Sequence, residues 1–168
     1  MNFCVLGADA WGTALAIHLI RRGHSVTLVP DDIDKAMELA SSRENVQALP
    51  GYSLPLQLQI GFEVKPVLME ADVVVVSAPG EELCELCYSV ASSLESAAVL
   101  KLMITLNETF ASQAAAMVDE LLTGISHAVL VGLTDAEDLA SGKSANLTLE
   151  GEDEDGFLAE VETAINQG

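Results

Sequence analysis

The chain has 168 residues, of which half are apolar, 26 are acidic and 7 are basic, so its formal net charge at pH 7 is -19. A chain of this length buries roughly 70% of the surface that its unfolded form exposes, so a single domain over residues 1–168 needs no disulfide framework to fold. The apolar content excludes wholesale disorder. The scarcity of Lys and Arg argues against nucleic acids and anionic membranes as partners.

The cysteines and the N-terminal segment predict a cytoplasmic protein. Cys4, Cys84 and Cys87 form an odd count without the regular spacing of a disulfide framework. The apolar opening segment lacks a basic region and is interrupted by Asp9 and Gly12, so we expect neither a signal peptide nor a membrane anchor. Cys84 and Cys87 have the spacing of a redox pair, but they fall inside a predicted helix, which favours a structural role, and we assign no metal site.

The first thirty residues predict a strand, a tight turn, a helix and a second strand. Residues 3–6 are apolar and end at Gly7, residues 11–22 have the composition of a helix with a basic end, and residues 25–29 alternate as a strand does. This order and length are typical of a βαβ unit.

The next segments predict a helix, a loop and a buried strand. Acidic residues open a helix over 31–42, where they complement the positive end of its dipole. Residues 49–66 are rich in proline and glycine, which predicts a loop with at most one short extended piece. Four consecutive valines at 73–76 predict a central strand that is buried on both faces, as in a parallel sheet covered by helices.

The rest of the chain continues the alternation of helices and strands. The patterns predict helices over 81–94, 109–122 and 155–165, and strands over 98–106, 127–131 and 146–149. Strands that alternate with helices along the whole chain predict an α/β fold. We expect a Rossmann-like, doubly wound, mainly parallel sheet with helices on both faces, in a single domain.

The turn between the first strand and the first helix has the spacing of a dinucleotide-binding turn, with the sequence GADAWG at positions 7–12. In such a turn the first glycine permits the bend, the second lets the backbone approach a pyrophosphate, and the third lets the helix pack on the strand. Gly7 and Gly12 occupy the first and third positions, but Asp9 occupies the middle one. Its carboxylate would repel the pyrophosphate by about 1 to 4 kcal/mol, which is a tenfold to thousandfold loss of affinity. We interpret Asp9 as an N-cap that keeps the fold and weakens or abolishes the ligand site.

An acidic residue near the end of the second strand commonly binds the adenosine ribose of a dinucleotide. Asp31 or Asp32 could have this role. No arginine that would bind a 2'-phosphate is present there, so any preference should be for NAD over NADP. The alternative is that both acids are ordinary first-turn residues of the following helix.

Several separate segments resemble the N-terminal domain of NAD(P)-dependent glycerol-3-phosphate dehydrogenase. These are GADAWGTALA at 7–16, Arg-Glu-Asn at 43–45, Leu-Pro-Gly at 49–51 and Ala-Pro at 78–79, in the order that the family has them. The tryptophan within the turn is a specific signal. The resemblance covers nearly the whole chain and implies NAD as cofactor. The residues that we expect beside it are Gly7, Asp9, Ala10, Trp11, Gly12, Asp31, Ala78 and Pro79.

The resemblance implies hydride transfer between NAD(P) and glycerol 3-phosphate or dihydroxyacetone phosphate. In the family a helical second domain completes the substrate site and supplies a catalytic lysine, and the 168 residues end before it. The family's Lys-Gly after the fifth strand is replaced by Leu106 and Asn107, and its Gly-Pro-Ser-Phe-Ala segment is replaced by GLTDA at 132–136. We therefore assign no catalytic residue and expect this chain to be inactive by itself.

Three functions remain open at this point. The chain could be a dehydrogenase domain that binds NAD and is completed by another chain or by further sequence. It could instead be a non-catalytic Rossmann-like interaction or regulatory module with weak or no dinucleotide binding. A reductase resembling ketopantoate reductase or a coenzyme-F420-dependent enzyme is a third possibility, against which the Trp-Gly-Thr-Ala-Leu-Ala segment counts. A face left free of the second domain would allow a homo-oligomer or a separate partner chain.

Overall fold

A computed structural model describes residues 1–78, 82–94, 99–106, 111–132 and 134–167. Within these ranges one sheet of seven strands alternates with seven helices. The strands are β1 (Asn2–Leu6), β2 (Ser25–Val29), β3 (Gln59–Ile60), β4 (Val73–Val76), β5 (Leu102–Thr105), β6 (Ser126–Gly132) and β7 (Leu147–Gly151). The helices are α1 (Ala10–Arg21), α2 (Ile33–Ser42), α3 (Val64–Glu70), α4 (Glu82–Ser93), α5 (Ala111–Leu121), α6 (Ala136–Ser141) and α7 (Phe157–Asn166).

The strand order is β3-β2-β1-β4-β5-β6-β7, and the first six strands are parallel while β7 runs antiparallel to β6. The expected Rossmann-like, mainly parallel sheet is therefore confirmed. The direction of winding reverses between β1 and β4. In doubly wound sheets, ligands bind in the crevice outside the carboxyl ends of the strands at this switch point.

Two apolar clusters cover the two faces of the sheet because successive strand residues point to opposite sides. Phe3 and Val5 belong to the cluster under α1, α6 and α7, whereas Cys4 and Leu6 belong to the cluster under α3, α4 and α5. All four valines of β4 are fully buried, so the prediction of a central strand is confirmed. Each buried valine contributes about 1.5 to 3 kcal/mol to stability.

Residues 49–66 are not wholly a loop, because α3 begins at Val64. The proline signal was misleading, since Pro66 lies in the first turn of α3, where a missing backbone N–H removes no helical hydrogen bond. The short extended piece expected in this segment is β3, which pairs with β2.

Helix α6 was absent from the sequence prediction. It has only six residues, too few for a hydrophobic period, although Asp135 caps its start and Gly142 ends it in the left-handed region. The predicted starts at 81, 98 and 109 lie outside the described residues. No helix in the described part of the chain is long and apolar enough to cross a membrane.

The two cysteines with redox spacing lie in α4, as predicted. Burial raises the pKa of the Cys87 thiol to about 11, and the neighbouring Cys84 adds to this shift. The Cys87 side chain packs in the cluster under α3, α4 and α5. A buried thiol with a raised pKa is a poor nucleophile, which supports a structural role for Cys87.

Candidate functional site

The turn between β1 and α1 lies at the switch point, and its two glycines have no room for a side chain. Gly7 has a φ of +96°, and a Cβ built on it would lie 1.9 Å from the backbone oxygen of Ser77. A Cβ on Gly12 would lie 2.3 Å from the Gly7 oxygen and 2.9 Å from the Ser77 Cβ. The backbone shape of a dinucleotide-binding turn is therefore retained. Ser77, which directly follows β4, packs closely against both glycines.

Asp9 is the N-cap of α1, as the sequence predicted. Its Oδ1 accepts a hydrogen bond from the Gly12 backbone N–H at 2.7 Å and a second one from the Ser77 Oγ at 2.6 Å. Ser77 is only 2% exposed and follows β4 directly. The second bond thus spans the crevice between β1 and β4, where a ligand would approach. This role of Ser77 is not predictable from the sequence, because a serine 68 positions away from Asp9 gives no local signal.

Asn45 holds the turn through two side-chain hydrogen bonds. It is fully buried, and its Nδ2 donates to the Ala8 oxygen at 2.8 Å and to the Thr13 Oγ1 at 2.9 Å. Its Oδ1 has no partner among the described residues. Asn45 therefore ties the turn to the loop after α2. The signal in the sequence that could have indicated this contact is the Arg-Glu-Asn motif at 43–45, which was interpreted only as part of the family resemblance.

The other motif residues hold the loop that carries Asn45. Arg43 ends α2 in the left-handed region with a φ of 54°, and its Nη2 donates to the Pro55 and Leu58 oxygens. The Glu44 Oε1 accepts from the Gly51 backbone N–H at 2.8 Å. The Arg-Glu-Asn and Leu-Pro-Gly segments are thus connected by direct hydrogen bonds, since the Leu49 N–H also donates to the Asn45 oxygen.

The two acids after β2 differ in role. Asp32 is the N-cap of α2, since its Oδ1 accepts from the Lys35 backbone N–H at 2.8 Å. Asp31 precedes it on the surface. Partial burial raises the pKa of the Asp31 carboxyl, and the carboxylates of Asp9 and Asp32 raise it further. Asp31 and Asp9 are therefore close enough to interact electrostatically at the ends of adjacent strands.

The remaining predicted site residues are placed at the same end of the sheet, with one exception. Ala10 is the first residue of α1, and Trp11 is half-buried against the core. Ala78 is half-buried directly after Ser77, whereas Pro79 lies outside the described residues.

The site has the shape of a dinucleotide turn but not its charge. The glycines provide the cradle that a Cβ would fill, yet the Gly12 N–H at the start of α1 already binds the Asp9 carboxylate. The Asp31 carboxyl adds further negative charge beside it. An anion at a helix N-terminus needs free N–H groups and a positive potential, and here a carboxylate of the chain itself takes that place.

Two grooves formed by described residues lie away from this turn. One, of about 640 Å³, lies near the start of β1 and β2 and is lined by Asn2, Ser25 and Glu70 among others. Another, of about 650 Å³, lies between α5 and β6 and includes Asp119 and His127. Neither includes residues 7–12, so the candidate site is defined by the turn chemistry and the switch point rather than by cavity size.

The sequence matches a family model described as the NAD-dependent glycerol-3-phosphate dehydrogenase N-terminus over residues 2–156. A glycerol-3-phosphate dehydrogenase (NAD(P)+) of Prosthecochloris aestuarii is 35% identical over an alignment 141 residues long that covers 76% of this chain and 42% of the relative. The protein of the same name from Nitrosomonas eutropha is 33% identical over 167 residues, 99% of this chain and 50% of the relative. The chain thus spans half or less of the length of these curated relatives.

The fold is also shared with a solved structure. The crystal structure of glycerol-3-phosphate dehydrogenase from Coxiella burnetii superimposes with a TM-score of 0.84 at 22% sequence identity, covering 99% of this chain and 51% of that one. At this identity the likeness shows the fold alone. The strand order and the switch point described above are therefore those of a known architecture.

Proposed function

This chain belongs to the family of NAD-dependent glycerol-3-phosphate dehydrogenase N-terminal domains, and we propose that its 168 residues form one cofactor-type domain that binds NAD(H) weakly or not at all. In this proposal the domain does not catalyse hydride transfer by itself. The observation that carries the proposal is the Asp9 carboxylate, which bonds the Gly12 N–H and the Ser77 hydroxyl in the place where a diphosphate would approach.

The expected loss of affinity follows from the charges. NAD supplies the hydride chemistry in this family when it is bound, and its diphosphate would bring negative charge to the start of α1. Repulsion by a carboxylate a few ångströms away costs about 1 to 4 kcal/mol, depending on the local dielectric. This corresponds to a tenfold to thousandfold weaker Kd than that of an uncharged turn.

A second candidate is a dinucleotide-binding half of a complete dehydrogenase that acts on glycerol 3-phosphate or dihydroxyacetone phosphate. The retained glycines and the identity to the Nitrosomonas eutropha protein over 99% of this chain support it. The two candidates differ in one measurable property. A functional half should bind NADH with micromolar affinity in spite of Asp9, whereas the first candidate should not.

Calorimetric titration with NADH tests the proposal, using the wild-type chain and Asp9→Gly. We expect that the wild type does not bind NADH with a micromolar Kd and that Asp9→Gly binds it measurably. Asp32→Gly is the matched control, because it removes the same residue type from the N-cap of α2 without changing the turn. Micromolar binding by the wild type would contradict the proposal and favour the second candidate.

The proposed cofactor-facing residues are Gly7, Asp9, Ala10, Trp11, Gly12, Asp31, Ala78 and Pro79. Because Asp31 would repel a 2'-phosphate, we propose that any residual binding favours NADH over NADPH, and a parallel titration with NADPH tests this. A net charge of -19 supports the exclusion of nucleic acid and anionic membranes as partners.

We further propose that the protein is cytoplasmic and pairs with a second copy or with a separate partner chain. Three free cysteines support the cytoplasmic assignment. Size-exclusion chromatography with light scattering measures the oligomeric state of the purified chain. A dimer would support a second copy as the partner, whereas a monomer at all concentrations would contradict it.

A further inference from the structure

The Ser77 side chain contacts the capping carboxylate of Asp9 and also lies beside Gly12. Its Oγ donates to the Asp9 Oδ1 at 2.6 Å, a short charge-assisted hydrogen bond. The same side chain lies under Gly12, because a Cβ there would be 3.1 Å from the Ser77 Oγ. At 2% exposure the hydroxyl has little access to water as an alternative partner.

We propose that Ser77 is a specificity-determining positioning residue, which holds the Asp9 carboxylate in the switch-point crevice. Held there, the carboxylate weakens the binding of ligands that carry a diphosphate. This inference rests on the proposed function. An N-cap aspartate held by one backbone N–H can rotate its charge toward water, as the exposed Asp32 on α2 is free to do. Asp9 is held both by the Gly12 N–H at the start of α1 and by the Ser77 hydroxyl that follows β4, so its charge stays in the crevice.

The main chain and the side chain of Ser77 make different contacts in the crevice. Its backbone N–H donates to the Leu6 oxygen at 2.8 Å, which holds the end of β4 against the end of β1. Its backbone oxygen faces Gly7 and its hydroxyl faces Asp9. Replacement of the side chain alone therefore changes the fixation of Asp9 and leaves the contact of the main chain with the turn in place.

The test is a double-mutant cycle on NADH affinity with Ser77→Ala, Asp9→Gly and the double variant, measured by fluorescence titration. If Ser77 acts through Asp9, Ser77→Ala should tighten NADH binding roughly threefold to tenfold in the wild-type background, because a freer carboxylate repels the diphosphate less. In the Asp9→Gly background the same substitution should change the Kd by less than about twofold. Ser77→Cys, which substitutes a weak donor at similar volume, should lie between serine and alanine.

A second readout needs no ligand. Solvent exchange of the Gly12 amide proton, followed by NMR, should be about tenfold faster in Ser77→Ala, since its acceptor Asp9 is then less firmly held. An unchanged Gly12 exchange rate, or an equal shift of the NADH Kd in both backgrounds, would overturn the role of Ser77. Even if the role of Ser77 is overturned, the proposed function holds when Asp9→Gly alone binds NADH more tightly than the wild type. If Asp9→Gly binds no tighter, the proposed function fails and the inference fails with it.

Discussion

The starts of α1 and α2 use the same capping chemistry in two different surroundings. Asp9 and Asp32 both have extended backbones, and each accepts a hydrogen bond from the backbone N–H three residues later, at 2.7 and 2.8 Å. Asp32 is exposed and has solvent around it. Asp9 is half-buried, lies at the switch point and is bound a second time by Ser77.

The comparison indicates that capping a helix and affecting a ligand site are separate properties of one residue. The local hydrogen bond is the same at both helices, so it explains helix formation and nothing more. What changes the chemistry at α1 is the surroundings: two glycines without room for a side chain and a serine from another strand. Substitutions that change these surroundings, or that change one cap at a time, separate the two properties.

The largest expected effect comes from Gly7→Ala, which removes the steric frame at α1. A methyl group would lie 1.9 Å from the Ser77 oxygen at a φ of +96°, so the turn must shift and break its contact with β4. We expect a loss of more than about 3 kcal/mol in the free energy of unfolding, measured by urea denaturation. Gly23→Ala is the control. Its φ of +84° is similar but its surroundings are open, so a loss of only about 1 kcal/mol is expected.

A comparison of the two caps should give the next largest effect. Asp32→Ala should cost about 1 kcal/mol of unfolding free energy, the usual value for an N-cap. Asp9→Ala should cost about 2 kcal/mol, because it also leaves the buried Ser77 hydroxyl without its acceptor. Urea denaturation of both variants measures the difference. Equal losses would mean that the Ser77 bond adds nothing to stability.

The smallest expected effect is electrostatic and concerns Asp31, whose carboxyl interacts with the carboxylates of both caps. After burial, the Asp9 carboxylate is the larger cause of the raised Asp31 pKa and the Asp32 carboxylate is the smaller. NMR titration of the Asp31 carboxyl should therefore show a larger fall in its pKa in Asp9→Asn than in Asp32→Asn. An equal or reversed order would show that Asp9 is not the nearer charge.

The raised Asp31 pKa also has a defined effect on stability. A carboxyl whose folded-state pKa lies above its unfolded value destabilises the fold when it ionises. This cost is absent below the unfolded pKa, grows as the pH rises through the window between the two values, and is complete above the folded-state pKa. Asp9→Asn should make this part of the pH dependence of stability smaller.

Most of the architecture could be predicted from the sequence because its signals are local. The valine run predicts β4, and the alternation of strands and helices predicts the doubly wound sheet, which the strand order confirms. The glycine spacing and Asp9 predict the turn and its cap, which the 2.7 Å bond to Gly12 confirms. The errors lie where local signals are weak, as in the six-residue α6, or misleading, as at Pro66 in α3.

The candidate site was less predictable because its key contacts join residues that are distant in sequence. Ser77 meets Asp9 across 68 positions, and Asn45 meets Ala8 across 37. No local pattern marks the contact of Ser77, and the Arg-Glu-Asn motif that contains Asn45 does not by itself identify the partner of the asparagine. Only the folded sheet, which places the ends of β1 and β4 side by side, brings Ser77 to Asp9.

The most direct test of the central claim is the NADH affinity of Asp9→Asn compared with that of the wild type, measured by calorimetric titration. Asparagine keeps the shape of the side chain and an oxygen that can accept from Gly12 and Ser77, and it removes only the charge. If the charge of Asp9 is what excludes the diphosphate, Asp9→Asn should bind NADH at least about tenfold more tightly than the wild type. An unchanged affinity would contradict the claim, because the turn would then reject or accept NADH for reasons other than its carboxylate.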